Sequence, residues 1–233
     1  MTAASVGVVA ALPLEARCLD ALAGDPRLRL TVSGMGPVRA RQAAEMLAAQ
    51  GATALISLGI CGGLDPRLRP GHLVLPAEMV TGGGERLETT TAWRSALATA
   101  AVRAGLQVSE GRTVTGDIIV AAADEKIALY ARLGAIAVDM ESHAVGSVAV
   151  ARGLPFLAVR TVADPAESDL CATALAGFDA FGNLKPLALL RALARRPGDL
   201  GAVIALGRAT WRACDSLKAL AGLPPLLGGS DLR

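Results

Sequence analysis

One stretch, Ala135 to Asp164, constrains this chain more than any other: AIAVDMESHAVGSVAVARGLPFLAVRTVAD. An apolar run, Ala135–Val138, leads into Asp139-Met140-Glu141. A helical segment follows and stops at Gly153. A second apolar run, Phe156–Val162, ends at Ala163-Asp164. The pattern is strand, helix, strand, with carboxylates after each strand. A right-handed crossover predicts that the two strands run parallel and end on the same sheet edge. Open α/β sheets bind ligands at that edge. Glu141 and Asp164 are therefore expected to face one crevice.

The flanking sequence repeats the alternation. Strands are expected at Val6–Ala11, Leu28–Ser33, Ala54–Leu58, His72–Pro76, Glu78–Thr81 and Arg112–Thr115. Helices are expected from Pro13 to about Leu22, Pro37 to about Gln50, Thr91 to Ala104, Pro186 to Arg196 and Asp199 to Leu220, and one to Leu133 capped by Asp124. No repeat or linker interrupts the series. This predicts one α/β domain over residues 1–221 and a flexible Pro/Gly-rich tail over 222–233. The chain is 52% hydrophobic but only 3% aromatic, so its core must be aliphatic, as suits strands buried on both faces.

Composition also excludes functions. The net charge is +2 with scattered basic residues and no basic stripe interleaved with aromatics, which argues against nucleic-acid binding. Two histidines and four cysteines without CxxC spacing argue against a metal site and for a reducing, cytoplasmic setting. No apolar run reaches the roughly 20 residues that cross a bilayer, and the N-terminus lacks the basic region of a signal peptide. The mean hydropathy of +0.46 is high for a water-soluble chain. It points to an apolar interface or to contact with a lipid-like substrate.

Three further features follow strand ends. Glu15 lies in the first helical turn after the first strand, where an acid complements the helix dipole. Gly34-Met35-Gly36 opens a helix whose first turn suits an anion or a ribose hydroxyl. Gly59-Ile60-Cys61-Gly62-Gly63 lets backbone approach a flat ligand closely. Gly82-Gly83-Gly84 reads as a flexible flap.

Together these motifs resemble the purine nucleoside phosphorylase and nucleosidase superfamily. The set comprises Glu15, Ser33–Gly36, Gly59–Leu64, Thr115–Asp117, Val138–Glu141 and Val159–Asp164, in the family's order. Within it, DMESHAVGSVAVARGLPFLAVRTVADPA and LAGFDAFGNLKP look most like hopanoid-associated phosphorylase, with methylthioadenosine/S-adenosylhomocysteine nucleosidase as the second branch. The resemblance implies a single domain with a mixed, mostly parallel central β-sheet flanked by helices. It implies a homo-oligomer, expected to be a dimer, and no cofactor beyond phosphate as a possible co-substrate. The substrate it implies is a small adenosine derivative, adenosylhopane first and methylthioadenosine or S-adenosylhomocysteine second.

The resemblance also assigns roles. Glu141 grips the ribose hydroxyls, with Met140 beneath the sugar. Asp164 protonates N7 of the leaving purine, and Glu15 matches the position that activates water in hydrolytic members. Cys61 and Gly62 match the floor of the base pocket; Ile119 and Val120 flank the purine. Elementary chemistry agrees with these assignments. Cleaving an N-glycosidic bond leaves charge on the base, which a carboxyl group kept protonated by burial can neutralise. Glu141 must instead stay ionised, and a helix N-terminus favours that.

The departures concern phosphate and the purine. Phosphorylases of the family commonly carry an arginine before the glycine cluster and a hydroxyl within it; here those places hold Ser57 and Ile60. The remaining candidates for phosphate are Arg17, Arg39 and Arg160. Ile119 stands where an aromatic often stacks, and Ala163 where a serine often precedes the acid. A non-catalytic nucleoside-binding protein is the reading from another class, disfavoured by retention of all three acids.

Overall fold

The structure is a computed structural model, described here for residues 5–179, 183 and 185–228. Phe181 and the last part of the expected tail, 229–233, lie outside the described residues. In chain order the elements are β1 (Val6–Ala10), α1 (Pro13–Ala16), β2 (Leu28–Val32), α2 (Pro37–Ala49), β3 (Ala54–Gly63), β4 (Leu73–Thr81), β5 (Arg86–Glu88), α3 (Thr91–Arg103), β6 (Val108–Thr115), α4 (Ala123–Leu133), β7 (Ala135–Asp139), α5 (Ser142–Ala151), β8 (Phe156–Asp164), α6 (Ala172–Leu175), α7 (Pro186–Arg195) and α8 (Leu200–Ala221). The expected first helix is short: after Ala16 it tightens into a 3₁₀ turn, Arg17–Leu22. The two strands expected around Pro76 form one strand, β4, with a register shift between Pro76 and Glu78. The glycine triplet after it turns the β4–β5 hairpin, and β5 was not anticipated.

All strands join one sheet in the order β2-β1-β3-β7-β6-β4-β5, and β8 pairs with both β3 and β4. The pairings β1–β2, β1–β3, β3–β8, β4–β6 and β6–β7 are parallel; β3–β7, β4–β5 and β4–β8 are antiparallel. The chain is a single α/β domain with a mixed sheet flanked by helices. Strands β3, β7, β6, β4 and β8 close on one another in a ring.

This topology corrects one expectation. Strands β7 and β8 are not parallel, because β3 is long enough to serve two partners. Leu55 to Cys61 pairs with β8 in parallel, the register shifts between Cys61 and Gly62, and Gly62 and Gly63 pair with β7 in antiparallel. The crossover rule applies to neighbouring parallel strands, and β7 and β8 are not neighbours. Their ends still converge, because Gly62 lies opposite Val138 on one side and Asp164 on the other.

The two faces of the sheet bury separate aliphatic cores. One packs Val8, Ile56, Leu58 and Leu157 against Trp93 and Leu97 of α3 and Leu217 and Leu220 of α8. The other packs Leu55, Phe156 and Ala158 against Ala44 and Leu47 of α2 and Val145 and Val148 of α5. Because side chains alternate across a strand, Arg160 shares the second face with Phe156 and Ala158. A charged side chain is thus directed toward α5 from a strand that is buried throughout.

The expected loose tail is also corrected over its described part. Pro224–Leu227 forms a 3₁₀ turn, Leu226 and Leu227 are buried in the first core, and Trp93 Nε1 donates to Pro225 O at 2.8 Å. Apolar side chains with a place in the core outweigh the Pro/Gly content of the segment. Leu226→Ala is expected to lower the unfolding free energy by about 2–4 kcal/mol, measured by urea denaturation.

Candidate active site

Arg160 projects from the middle of β8 and is only 1% exposed. Its Nη2 donates to Ser57 Oγ at 2.7 Å and its Nε to Ser142 Oγ at 3.2 Å. Three carboxylates surround it. Asp139 Oδ2 is 3.5 Å from Nε and Glu141 Oε2 is 3.8 Å from Nη2. Glu15 is the third: a methyl group on Gly59 would sit 2.5 Å from Glu15 Oε1 and 2.7 Å from Arg160 Nη1. Ser57, Gly59 and Arg160 face the same side of adjacent strands, and the missing side chain of Gly59 makes room for the charges.

Each acid is fixed by backbone donors. Glu15 is buried; its Oε1 accepts from Ile60 N at 2.9 Å and its Oε2 from Leu12 N at 2.9 Å. It is therefore more than a solvated first-turn acid. Burial pushes its pKa up to about 7, against the lowering pull of Arg160. Asp139 Oδ1 accepts from Glu141 N at 2.8 Å and Ser142 N at 2.7 Å, so Asp139 caps α5. Glu141 holds the N-cap position of α5, the helix N-terminus expected for it, but its side chain does not cap the helix. Instead Glu141 turns toward Gly36, whose N–H donates to its Oε1 at 2.9 Å. Burial raises the Glu141 pKa, with Arg160 opposing the rise. Gly36 adopts φ 101°, open to glycine at little cost, and this conformation precedes α2. The anion received at that helix entrance belongs to the protein itself.

Asp164 sits at the end of β8, across Gly62 from β7. Its Oδ2 lies 2.5 Å from Lys126 Nζ of α4, and that lysine is fully buried. Nζ also donates to Ser168 O at 2.7 Å and Pro165 O at 3.2 Å, so the ion pair is anchored to the loop after β8. Burial raises the Asp164 pKa to about 6; Lys126 pulls it down and Asp169 pushes it further up. Sequence reasoning missed Lys126. The signal was present as a lone lysine in an otherwise apolar turn, KIALY, but nothing local distinguishes it from a solvated residue. Asp124 does not cap α4 either. Ala122 holds the cap position, and Asp169 Oδ1 accepts from Ala123 N at 2.7 Å.

These groups floor a cavity of about 620 Å³. Glu15, Cys61, Gly62, Met140, Glu141 and Asp164 line it, as do Ile119 and Val120. The eight residues to which the resemblance assigns a role thus reach one cavity. Val120 is buried, whereas Ile118 and Ile119, 71% and 41% exposed, leave that flank open. The charged groups lining the cavity, among the described residues, are all carboxylates. Of the three arginines considered for phosphate, Arg17 is exposed outside the lining, Arg39 Nη1 donates to Met35 O, and Arg160 is enclosed by acids. Ile60 contributes its backbone N–H to Glu15. The glycine flap borders a second cavity beside Arg41, Asp117 and His143 instead.

Gly59→Ala tests the closeness of this packing. The new methyl group would overlap both the Glu15 carboxylate and the Arg160 guanidinium, which are buried. A loss of about 1–3 kcal/mol in unfolding free energy is expected, the range for overpacking a filled interior, measured by urea denaturation.

The profile of the Phosphorylase superfamily matches residues 21–193. The 5′-methylthioadenosine/S-adenosylhomocysteine nucleosidases of Mycobacterium bovis and Mycobacterium tuberculosis are each 26% identical over 226 residues, covering 72% of this chain and 88% of theirs. Among solved structures, the nucleosidase of the same name from Neisseria meningitidis, bound to methylthio-immucillin-A, superposes with a TM-score of 0.71 at 20% identity, covering 93% of this chain and 96% of that one. Futalosine hydrolase of Helicobacter pylori gives 0.69 at 17% identity, over 93% and 97%. These structural likenesses speak to the fold. With well over half its length inside the family profile, the chain belongs to the phosphorylase superfamily.

Proposed function

We propose that this protein cleaves the N-glycosidic bond of a 5′-substituted adenosine and releases adenine, with water as the nucleophile. The observation that carries the reading is a pair of buried carboxyl groups, Asp164 and Glu15, whose pKa values are raised to about 6 and about 7 at the floor of one apolar cavity. In this reading Asp164 passes its proton to N7 as the C1′–N9 bond breaks and the bond's electron pair leaves with the base. Glu15 takes a proton from the water that attacks C1′. Glu141 accepts the ribose hydroxyls, while Gly36 and Arg160 hold it in place. Met140 lies against the sugar; Cys61, Gly62, Ile119 and Val120 surround the base through backbone and aliphatic contact. Water is favoured over phosphate because the cavity's charged lining is acidic and Arg160 is already committed to carboxylates.

For the 5′ group, adenosylhopane is the first candidate. Beyond the carboxylates the cavity continues along Leu170, Leu175, Phe178, Leu189, Val203 and Leu206, an almost wholly apolar wall suited to a lipid-borne substituent. The second candidate, methylthioadenosine or S-adenosylhomocysteine, draws support from the nucleosidases to which the chain is similar. A homocysteine tail carries two charges, for which the wall offers Asp179 and Thr210. A homodimer belongs to the same reading: the exposed Ile118 and Ile119 leave the purine flank for a second copy to close.

Three measurements test this proposal. Adenine is expected from adenosylhopane, and more slowly from methylthioadenosine, at equal rates with and without phosphate and with a free sugar as product. Strict phosphate dependence would overturn the hydrolytic assignment, and no adenine from either nucleoside would overturn the enzymatic one. Asp164→Asn is expected to lose about 10²–10⁴-fold in kcat. Activity requires ionised Glu15, which grows with pH through about 7, and protonated Asp164, which is lost as pH rises through about 6. A narrow bell with its maximum between these values is expected, with only a minority of molecules in the productive state.

Lys126 adds a separable prediction. Its charge lowers the Asp164 pKa, so Lys126→Met is expected to move the maximum of the bell, and with it the acidic limb, to higher pH while kcat falls. Lys126→Arg is expected to hold the limb near its original position. A Lys126→Met variant that merely loses stability, with its pH profile unmoved, would show the lysine to be structural.

A further inference from the structure

We infer that the outer face formed by α7 and by α8 as far as Arg212 is a docking surface for an anionic lipid bilayer, set at the mouth of the cavity. That a bilayer-borne substrate is delivered there rests on the proposed lipid-linked 5′ group; the surface itself does not.

Helix α7 has an apolar face and an arginine-bearing face, yet none of its residues is buried. Leu189 lines the cavity, while Leu187 and Leu190 face solvent. On α8, Leu200, Ile204 and Trp211 recur at helical spacing and form one stripe. On its adjoining side, Val203, Leu206 and Thr210 line the cavity. The apolar wall therefore continues over the rim onto the outside of the protein. Leu187, Leu190, Leu200, Ile204 and Trp211 are each between 45% and 71% exposed. A patch of this kind marks an interaction site in a water-soluble domain.

Charge selects the occupant. From Lys185 to Cys214 the chain carries six basic residues, Lys185, Arg191, Arg195, Arg196, Arg208 and Arg212, and one acid, Asp199. Asp199 is engaged as acceptor from the Thr173 hydroxyl. Leucines and a tryptophan flanked by arginines form the pattern of a helix that lies in a membrane interface, with arginine stems reaching up to phosphate headgroups. A second copy of the chain suits the face poorly, because a two-fold contact would set the same basic cluster against itself. Among the described residues no helix is long and apolar enough to cross a membrane, so the surface would lie on the bilayer rather than span it.

The test uses the full-length protein without substrate. Co-sedimentation is measured with vesicles of phosphatidylcholine alone and of equimolar phosphatidylcholine and phosphatidylglycerol. Binding is expected to the anionic vesicles only, and to weaken as salt is raised. Leu187→Glu/Leu190→Glu and, separately, Arg191→Ala/Arg195→Ala are each expected to reduce partitioning at least about tenfold. Neither pair lines the cavity, so release of adenine from dissolved methylthioadenosine should be unchanged. Absence of vesicle binding, or equal binding by both variant pairs, would overturn the surface. So would a leucine variant that shifts the protein from dimer to monomer without altering lipid binding. Vesicle binding without adenine release would sink the catalytic reading and leave the surface standing; adenine release without vesicle binding would do the reverse.

Discussion

A single guanidinium, almost without water around it, lies where five parts of the molecule meet. Arg160 comes from β8, Ser57 from β3, Asp139 from the end of β7, Glu141 and Ser142 from the start of α5, and Glu15 from α1. An isolated buried charge is costly, and so is each buried carboxylate. One cation cannot balance three acids in full. Burial raises the pKa values of both Glu15 and Glu141 against the pull of Arg160, and Glu15, at about 7, holds a proton in part of the molecules near neutral pH. Structural necessity and acid–base competence thus have one cause.

Asp164 has a cation of its own. Lys126 is tied to the carbonyls of Pro165 and Ser168, so the loop that follows β8 and the helix α4 together hold the acid. The family's usual serine before that acid is absent here, with Ala163 in its place. The buried lysine supplies a hold from another direction. A cation this close would normally keep an aspartate well ionised, but desolvation exceeds its pull and the pKa still rises to about 6.

Much of this was legible in the sequence, and the errors have definite reasons. The glycine clusters and carboxylates after strands marked the residues that line the cavity, because only a few residue types tolerate those turns. The direction of β7 relative to β8 was misjudged because the length of β3 and its register shift let one strand pair with both. The cap of α4 was assigned to Asp124 when Asp169 performs it, and at the start of α5 Asp139 receives the N–H groups of Glu141 and Ser142. Capping donors can be reached from nearby in sequence or from far away, and local spacing does not separate the two. The tail was judged by its prolines and glycines, although Leu226 and Leu227 have a place against α3 and β-sheet residues.

What the sequence determined by itself was the inventory: the alternation of elements, the aliphatic core, and the acids and glycines that follow strand ends. These depend on periodicity and turn chemistry, which are local. What only the tertiary structure decided was which groups share a low-dielectric space. The closed ring of strands brings Glu15, Glu141 and Asp164 to one cavity, assigns Arg160 to the first two and Lys126 to the third, and leaves the outer faces of α7 and α8 uncovered. Burial and charge pairing between residues far apart in the chain arise from packing, and no local pattern encodes them.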